Sequence, residues 1–266
     1  MNSLFKDLRY GLHMMVKQPG FTAVAVLTLA LGIGANSAIF SIVNSLLLNP
    51  LPYRDSGRLA IIWSHSPGAN VDKDWPSPGQ FEAIKANSTV FEDIAIVHGR
   101  SLNVGGLSNP TRAGAIAASS NLLPLLGVKP LLGRLFLPEE DDTPDNPHTV
   151  ILSNTFWRRE FGGREDVLQN TFLLNGEKYE IVGVLPAEFS LGYEVVPTVS
   201  SIQEPDVFLP LPLSAKQKQE QGDENYNLLA RLKPGASIAQ AQSELDIATK
   251  RLAEQFPDSY PASRRF

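Results

Sequence analysis

The longest apolar run of the chain lies near its N-terminus. Residues 18–53 contain no Asp, Glu, Lys or Arg, and the most apolar part of this run extends from Phe21 to Leu48. A helix needs about 20 consecutive apolar residues to cross the hydrocarbon core of a bilayer. At about 1.5 Å of rise per residue this run is longer than that core. It therefore predicts a transmembrane helix and a short stalk within residues 19–49.

The charges on either side of the run predict its orientation. Lys6, Arg9 and Lys17 precede it against one acidic residue, Asp7, and short flanking segments rich in Lys and Arg stay in the cytoplasm. The whole chain has 23 basic and 28 acidic side chains, so the part beyond the run carries a net charge of −7. We expect a cytoplasmic N-terminus and an external main part, and this acidic balance argues against nucleic acid as a partner.

Residues 1–18 predict a cytoplasmic leader that lies on the inner membrane surface. Five apolar side chains in the leader fall on one face of a helix, and most of its basic side chains lie elsewhere. This pattern is typical of an interfacial amphipathic helix. The apolar face consists of Leu4, Phe5, Leu8, Leu12 and Met15.

A cleaved signal peptide is the competing interpretation of this region. Ala35, Asn36 and Ser37 are small enough to form a cleavage site after an apolar stretch. Two observations oppose it: the apolar pattern resumes at Ile39 beyond that site, and a leader of 18 residues is long for the charged segment that precedes the apolar part of a signal peptide. A retained membrane helix fits the pattern better.

Small residues recur at helical spacing within the predicted membrane helix, at Gly34, Ala38, Ser41 and Ser45. Such a stripe allows another helix to approach closely and to form hydrogen bonds across the contact. The alternative is that a single membrane anchor tolerates a few small residues. The other apolar runs of the chain are short and interrupted by Pro or Gly. We therefore expect a single-pass chain whose stripe packs against transmembrane helices from elsewhere.

The external part, residues 50–266, alternates patterns of strands and helices and contains no cysteine for disulfides. Ser77 and Ser237 are each followed three residues later by a Gln, which predicts a capping box at the start of two helices. Ser153 predicts the start of another, and Asn175–Gly176 predicts a tight hairpin turn. These signals predict an α+β (mixed α/β) fold. The predicted strands are residues 59–63, 94–98, 111–118, 150–152, 172–174, 179–184 and 228–232.

The predicted helices each have an apolar face. Phe81 and Ile84 are expected to be buried in a helix that ends near Asn87. The helix after Ser153 contains Phe156, Trp157 and Phe161 and stops at Gly162. In the last helix, which runs to Phe256, the apolar face is formed by Ile238, Ala241, Leu245, Ala248 and Leu252.

Two segments, residues 138–148 and 188–225, are rich in Pro, Asp, Glu, Gln and Ser and predict loops or insertions. The second is long enough for a small inserted subdomain. In the first, clustered carboxylates either coordinate a hard cation such as Ca²⁺ or form a solvated acidic loop. The solvated loop is favoured, because the cluster is interrupted by prolines and lacks EF-hand spacing. The cluster consists of Glu139, Glu140, Asp141, Asp142, Asp145 and His148.

Catalytic motifs are missing from the sequence. There is no P-loop, no Gly-x-Ser-x-Gly nucleophile elbow and no His-Glu-x-x-His zinc helix. The histidines are scattered singly at His13, His65, His98 and His148. Three arginines could bind an anion, but they are expected to form the exposed side of the helix after Ser153: Arg158, Arg159 and Arg164. We expect no enzymatic activity, no cofactor and no metal site.

Several runs, in one order, resemble bacterial ABC transporter permeases of the MacB-like, FtsX-related class. The resemblance begins with LFKDLRYG at residues 4–11 and PGFTAVAVLTLALGIGAN at 19–36. It continues through almost the whole chain. The further matching runs are LGVKP at 126–130 with GR at 133–134, LS at 152–153, WRR at 157–159 with FGG at 161–163, LNG at 174–176, VGVLP at 182–186 and RLKPG at 231–235.

The resemblance implies a function in transport or mechanotransmission, and it locates the protein in the bacterial inner membrane. In such a system a separate cytoplasmic ABC ATPase moves the transmembrane helices and so reshapes a two-subdomain periplasmic domain. Further transmembrane helices and periplasmic or outer-membrane proteins are the expected partners. The family's permeases carry helices after the periplasmic domain, whereas this sequence stops at Phe266. Either another polypeptide supplies those helices, or the chain is a truncated permease.

A second class of function fits the same sequence. A membrane-anchored periplasmic binding or scaffolding protein would act without an ATPase, and it would need a ligand cleft with converging polar groups. An enzyme is the third class, and the motif search gives it no support.

Overall fold

The computed structural model describes residues 9–10, 13–15, 17–43, 53–66, 71–106, 111–142, 148–191, 202, 204–257, 260 and 265–266. The chain consists of two compact units, residues 1–51 and residues 52–266. The two-subdomain division implied by the resemblance stays a prediction for the second unit.

The first unit contains the predicted membrane helix. Helix α1 spans Pro19–Val43, and its part from Pro19 to Ser37 is long and apolar enough to cross a membrane. Its described side chains are almost all exposed, as expected for a helix whose surroundings are lipid. Residues 9–10, 13–15 and 17 before it are also helical, whereas Leu4, Phe5, Leu8 and Leu12 lie outside the described residues. The membrane-surface position of the leader stays a prediction.

The second unit is built on a mixed β-sheet. Its helices are α2 (Pro78–Asn87), α3 (Leu122–Leu126), α4 (Asn154–Phe161) and α5 (Ile238–Gln255). Short 3₁₀ helices span Ser56–Arg58, Pro138–Asp141, Glu165–Gln169 and Gln217–Gln219. The strands are β1 (Leu59–Ile62), β2 (Ser64–Ser66), β3 (Val71–Asp74), β4 (Phe91–Gly105), β5 (Thr111–Ala118), β6 (Leu132–Gly133), β7 (Thr149–Leu152), β8 (Thr171–Leu174), β9 (Glu177–Val184), β10 (Val207–Pro210) and β11 (Asn227–Leu232).

The strand pairings of the main sheet form a closed ring. The hydrogen-bonded order is β4, β5, β10, β7, β9, β8 and back to β4. Strands β11 and β1 extend the sheet from β4, and β6 extends it from β9. The pairs β5–β10 and β7–β9 are parallel, and the other pairs of this sheet are antiparallel. The separate hairpin of β2 and β3 is bridged at His65 to Arg265 near the end of the chain.

Two hydrophobic clusters cover opposite faces of the sheet, because side chains alternate along each strand. On β5, Ala113, Ala115 and Ala117 face the first cluster, whereas Ile116 and Ala118 face the second. The first cluster also contains the apolar faces of α2, α4 and α5, and the second contains α3. The chain therefore buries two cores within one compact unit.

The predicted helix starts are confirmed. The capping boxes of Ser77 with Gln80 and of Ser237 with Gln240 are both formed, and the Ser153 side chain accepts a hydrogen bond from the Phe156 N–H. These caps satisfy backbone N–H groups that the first helical turn leaves free. The prediction for Ile238 was wrong: its side chain is 61% exposed at the first position of α5, before the helix reaches the core.

The predicted hairpin is also confirmed, since β8 and β9 are joined by Asn175 and Gly176 at φ 51° and 90°. The treatment of residues 188–225 as loop or insertion was incomplete. Strand β10 lies within that range and pairs with both β5 and β7 inside the ring. Strand β10 has only four residues and ends in proline, so its hydrophobic pattern is too short to be recognised in the sequence.

Candidate functional site

The predicted packing stripe of α1 is open where the structure describes it. Gly34 is exposed, and a Cβ added at this position would meet nothing within 4 Å. Helix α1 also contains Ala38 and Ser41, which lie on the face of Gly34 by helical spacing. Ser45 lies outside the described residues. Association of this face with other helices stays a prediction.

The domain begins with a tightly held segment, Tyr53–Arg58, which we call the anchor segment. It is the first described part of the chain after α1. The Tyr53 ring is 6% exposed and lies 6.5 Å from the Phe189 ring, measured between centroids. Its hydroxyl donates a hydrogen bond of 2.7 Å to the Ser190 carbonyl oxygen, and the Arg54 N–H donates to the Leu126 carbonyl oxygen at 3.0 Å. The chain is thus fixed where it joins the domain.

Ion pairs connect the anchor segment to β4. Arg58 lies 2.6 Å from the Asp55 carboxylate and 2.7 Å from that of Glu92, and Arg54 lies 3.2 Å from Glu92. The hydrogen bonds from Arg58 lower the pKa of both carboxyl groups. Arg58 also donates to the Leu232 carbonyl oxygen at 2.8 Å. Exposed ion pairs contribute little to the free energy of folding, so these pairs mainly set the position of the anchor segment.

Arg231 is the buried cation of this site. Its side chain on β11 is 1% exposed, and its guanidinium donates to the Leu125 carbonyl oxygen from Nη2 at 2.6 Å and from Nε at 3.1 Å. The C-terminal end of α3 is favourable for a positive charge, because its carbonyl groups point there. Nη1 donates to the Asp55 carbonyl oxygen at 3.1 Å. Burial, together with the charges of Arg54 and Arg58, lowers the pKa of Arg231.

Asp55 has the backbone conformation that this contact uses. Its φ of 44° and ψ of 51° lie in the left-handed region, which Asp adopts more readily than most residues. One guanidinium therefore joins the anchor segment, α3 and β11. One sequence signal points to this buried cation. Arg231 is the single charged residue of the mostly apolar strand β11, and it is the first residue of the RLKPG run.

In the acidic segment near residue 140, the side chains of Glu140 and Asp141 form hydrogen bonds within the domain instead of facing solvent alone. Glu140 is 8% exposed and accepts hydrogen bonds from the Arg134 guanidinium, the Leu137 N–H and the Thr149 hydroxyl. Burial would raise its pKa, but these hydrogen bonds outweigh burial and lower it. Asp141 accepts from the Ser120 N–H and hydroxyl, and its pKa is raised by burial. The prediction of a wholly solvated loop was wrong for these two residues.

Among the residues that the structure describes, the remaining members of the predicted acidic cluster do not converge on a metal site. Asp142 lies 3.7 Å from Lys218, and His148 Nε2 lies 3.5 Å from Glu177. Asp145 lies outside the described residues. Within the described ranges, no three His, Asp or Glu side chains are grouped so that they could hold a metal ion.

The three arginines after Ser153 are exposed, as predicted, but only Arg158 and Arg159 lie on α4. The position predicted for Arg164 was wrong, because it follows the end of α4 and precedes the 3₁₀ helix Glu165–Gln169. Arg159 lies 2.8 Å from the Glu160 carboxylate and 2.9 Å from that of Asp206, and its hydrogen bonds to them raise its pKa. Arg158 donates to the Asn154 side chain at 2.9 Å, and Arg164 is paired with Asp166. Each guanidinium thus has a partner within the domain.

The family model of the MacB-like periplasmic core domain matches residues 22–248. A comparison with curated proteins gives no match.

Three solved structures with a similar fold are each less than 25% identical to this chain. A permease-protein domain from Porphyromonas gingivalis is 21% identical with a TM-score of 0.58, and the match covers 79% of this chain and 88% of that one. The periplasmic region of MacB from Actinobacillus actinomycetemcomitans is 13% identical with a TM-score of 0.52, and the match covers 74% of this chain and 83% of that one. The extracellular domain of the ABC-type transporter YknZ from Gram-positive bacteria is 13% identical with a TM-score of 0.50, and the match covers 73% of this chain and 89% of that one.

Proposed function

This chain belongs to the MacB-like periplasmic core domain family, and on that premise we propose that it acts as a membrane-anchored component of an ABC transporter permease. A separate cytoplasmic ATPase drives it, and the external domain converts movement of the membrane helices into efflux or mechanotransmission. The chain itself carries no catalytic role in this proposal. Its net external charge of −7 and the basic leader are consistent with a cytoplasmic N-terminus in a bacterial inner membrane.

The observation that carries the proposal is the fixation of the anchor segment. A displacement of α1 can reach the domain through the covalent chain only by way of this segment. A loosely attached segment would absorb the displacement, whereas Tyr53, Arg58 and the Arg231 contact to Asp55 hold it against the folded core. Packed interiors transmit strain because they are dense and have low compressibility. The segment is therefore suited to carry force into the domain.

Transport also requires an element with two arrangements that the ATPase can bias. Additional transmembrane helices of the kind found in this family would form such an element with α1. The open Gly34 face of α1 supports this part of the proposal, because close helix approach needs small residues at the contact.

A second candidate function is a membrane-anchored periplasmic binding or scaffolding domain that works without an ATPase. The observation in its favour is a cavity of about 380 Å³ in the domain, lined by both apolar and polar side chains. This volume lies in the usual range for small-molecule sites.

Affinity purification distinguishes the two functions. The tagged full chain, expressed at its native level, is isolated in mild detergent, and the proteins that accompany it are identified. Recovery of an ABC ATPase together with a membrane protein of several spans is the expected result. Recovery of the chain alone, under conditions that keep a known ATPase–permease pair together, would contradict the proposal and favour the anchored binding domain.

A further inference from the structure

A cavity of about 380 Å³ lies beside the anchor segment. Its described lining comes from the N-terminal end of α4, from the chain that follows β9 and from the chain that leads into β10. It is larger than two other cavities of the domain, which have volumes of about 150 and 230 Å³. A ligand of moderate size would fit within it.

The lining of this cavity has two chemically distinct sides. Phe189 is partly exposed and supplies apolar surface, whereas Leu191 and Phe208 also line the cavity but are only 3% and 2% exposed. The Phe189 and Phe208 ring centroids lie 6.0 Å apart. Such a surface suits a flat or branched apolar group. The polar side is formed by Ser153, Thr155, Arg159, Glu204 and Asp206.

The charges on the polar side do not cancel. The Arg159 guanidinium is occupied by Glu160 and Asp206. The Glu204 carboxylate is exposed and has no hydrogen bond or ion pair within the described part of the chain. With one cation against two carboxylates among the described lining residues, the cavity favours a positive ligand.

The anchor segment is in direct contact with this lining. The Tyr53 hydroxyl donates to the Ser190 carbonyl oxygen at 2.7 Å, and the Tyr53 ring packs against Phe189 with centroids 6.5 Å apart. Ser190 and Phe189 both line the cavity, whereas Tyr53 does not. A shift of Tyr53 would therefore move one wall of the cavity.

We propose that this cavity binds a small amphipathic cation, with an apolar body against Phe189 and an ammonium group at Glu204, and that Tyr53 couples its affinity to the anchor segment. The coupling deepens the proposed function and rests on it. Because linkage is reciprocal, an occupied cavity also biases the position of the anchor segment.

The test uses dansylcadaverine, a fluorescent naphthalene that carries a primary amine. The full chain is reconstituted in lipid nanodiscs, and the signal of empty nanodiscs is subtracted. Glu204→Gln should weaken binding about fivefold, the loss expected for one exposed charge pair. Thr155→Trp should also weaken it by filling the cavity. Glu165→Gln, an exposed substitution outside the lining, is the matched control and should leave the affinity unchanged.

Tyr53→Phe tests the coupling, because it removes only the hydroxyl that contacts Ser190. We expect a change of about twofold or more in the affinity for the dye, the effect of one weakened neutral hydrogen bond. Tyr226→Phe also removes a hydroxyl, one that donates to Asp223 away from the cavity, and should have no effect. All variants are first shown to unfold at the wild-type temperature.

Wild-type affinity in Glu204→Gln or Thr155→Trp would overturn the site, and wild-type affinity in Tyr53→Phe would overturn the coupling. Neither result depends on the recovery of an ATPase, because the dye binds to the chain alone. Failure of this inference is thus separable from failure of the proposed transport function.

Discussion

Arg231 Nη1 donates a hydrogen bond of 3.1 Å to the Asp55 carbonyl oxygen, across 176 residues of sequence. The same guanidinium binds the Leu125 carbonyl oxygen at the end of α3. Two carbonyl groups from separate parts of the chain thus share one buried donor. This contact helps to hold the anchor segment against the sheet, and in the proposed function a displacement of α1 reaches the domain through that segment.

Replacing Arg231 with Met should destabilise the domain. The substitution keeps much of the apolar stem but leaves the Leu125 carbonyl oxygen without its donor, and it removes one of two hydrogen bonds to the Asp55 carbonyl oxygen, which also accepts from the Arg58 N–H at 2.9 Å. An unsatisfied buried carbonyl costs about 1–3 kcal/mol and a lost hydrogen bond from a charged donor about as much, so we expect a loss of about 2–4 kcal/mol in the free energy of unfolding. Chemical denaturation of the full chain in detergent measures this loss.

The matched control for Arg231→Met is Arg112→Met, because Arg112 also lies in a strand but is exposed. It should change the free energy of unfolding by less than about 0.5 kcal/mol. Equal stability of the two variants would show that the buried guanidinium contributes nothing to the attachment of the anchor segment.

Glu244 of α5 should make stability dependent on acid pH. Its carboxylate accepts hydrogen bonds from the Ser88 hydroxyl, the Thr89 N–H and hydroxyl and the Val90 N–H. Burial opposes ionisation, but these hydrogen bonds outweigh it and lower the pKa from 4.5 to about 2. A lowered pKa means that the stabilisation is complete above the unfolded value and is lost as the pH falls from about 4.5 to about 2.

Glu244→Gln is therefore expected to cost about 1–2 kcal/mol at neutral pH, after allowance for solvent screening of this partly exposed group. The difference from wild type should shrink as unfolding is measured at successively lower pH. Glu254→Gln on the same helix, where the side chain is exposed, is the control. A difference that stays constant down to pH about 2 would exclude ionisation of Glu244 as its source.

Gly133 should tolerate no side chain. Its φ is 71°, and a Cβ at this position would lie 2.2 Å from the Val182 carbonyl oxygen of β9. Gly133→Ala must therefore move backbone, and we expect it to cost about 2 kcal/mol or more. Gly57→Ala is the control, because nothing lies within 4 Å of its added Cβ. A thermal shift of the same size in both variants would contradict the close approach of β6 to β9.

The Gly34 face of α1 should control association with other helices. Gly34→Leu or Ala38→Leu is expected to lower crosslinking to partner membrane helices, because a large side chain blocks close approach, while insertion remains normal. Gly32→Leu is the matched control, since Gly32 is about 200° around the helix from Gly34. If Gly32→Leu lowers the crosslinking yield as much as Gly34→Leu, the stripe is not the contact face.

Local signals in the sequence predicted much of the secondary structure. Ser77 with Gln80 and Asn175 with Gly176 act within a few residues, so their caps and turns could be identified without knowledge of the fold. Strand β10 and the burial of Arg231 and Glu140 could not be predicted in this way. Strand β10 pairs with β5, and Arg231 binds the end of α3, and both partners are distant in sequence. Glu140 is held by Arg134, which is near in sequence but belongs to no periodic pattern.

The candidate site was harder to predict than the fold. The stripe at Gly34 follows from spacing alone, but the anchor segment contains no recognised motif. Its role depends on contacts of Tyr53 with Ser190 and of Asp55 with Arg231, each made across more than a hundred residues. Such pairings become visible only when the fold is known.

The central claim is that ATP hydrolysis by a partner reaches the domain through the anchor segment. The chain has no cysteine, so Ser190→Cys provides a unique thiol at the residue whose carbonyl oxygen Tyr53 contacts. The decisive measurement is the rate of maleimide modification of this thiol in the purified complex with its ATPase, with ATP and with ADP. Glu165→Cys, exposed and outside the contact, serves as control.

The account predicts that the modification rate at Ser190→Cys differs between ATP and ADP, while the rate at Glu165→Cys does not. Identical rates at Ser190→Cys in a complex that hydrolyses ATP would contradict it.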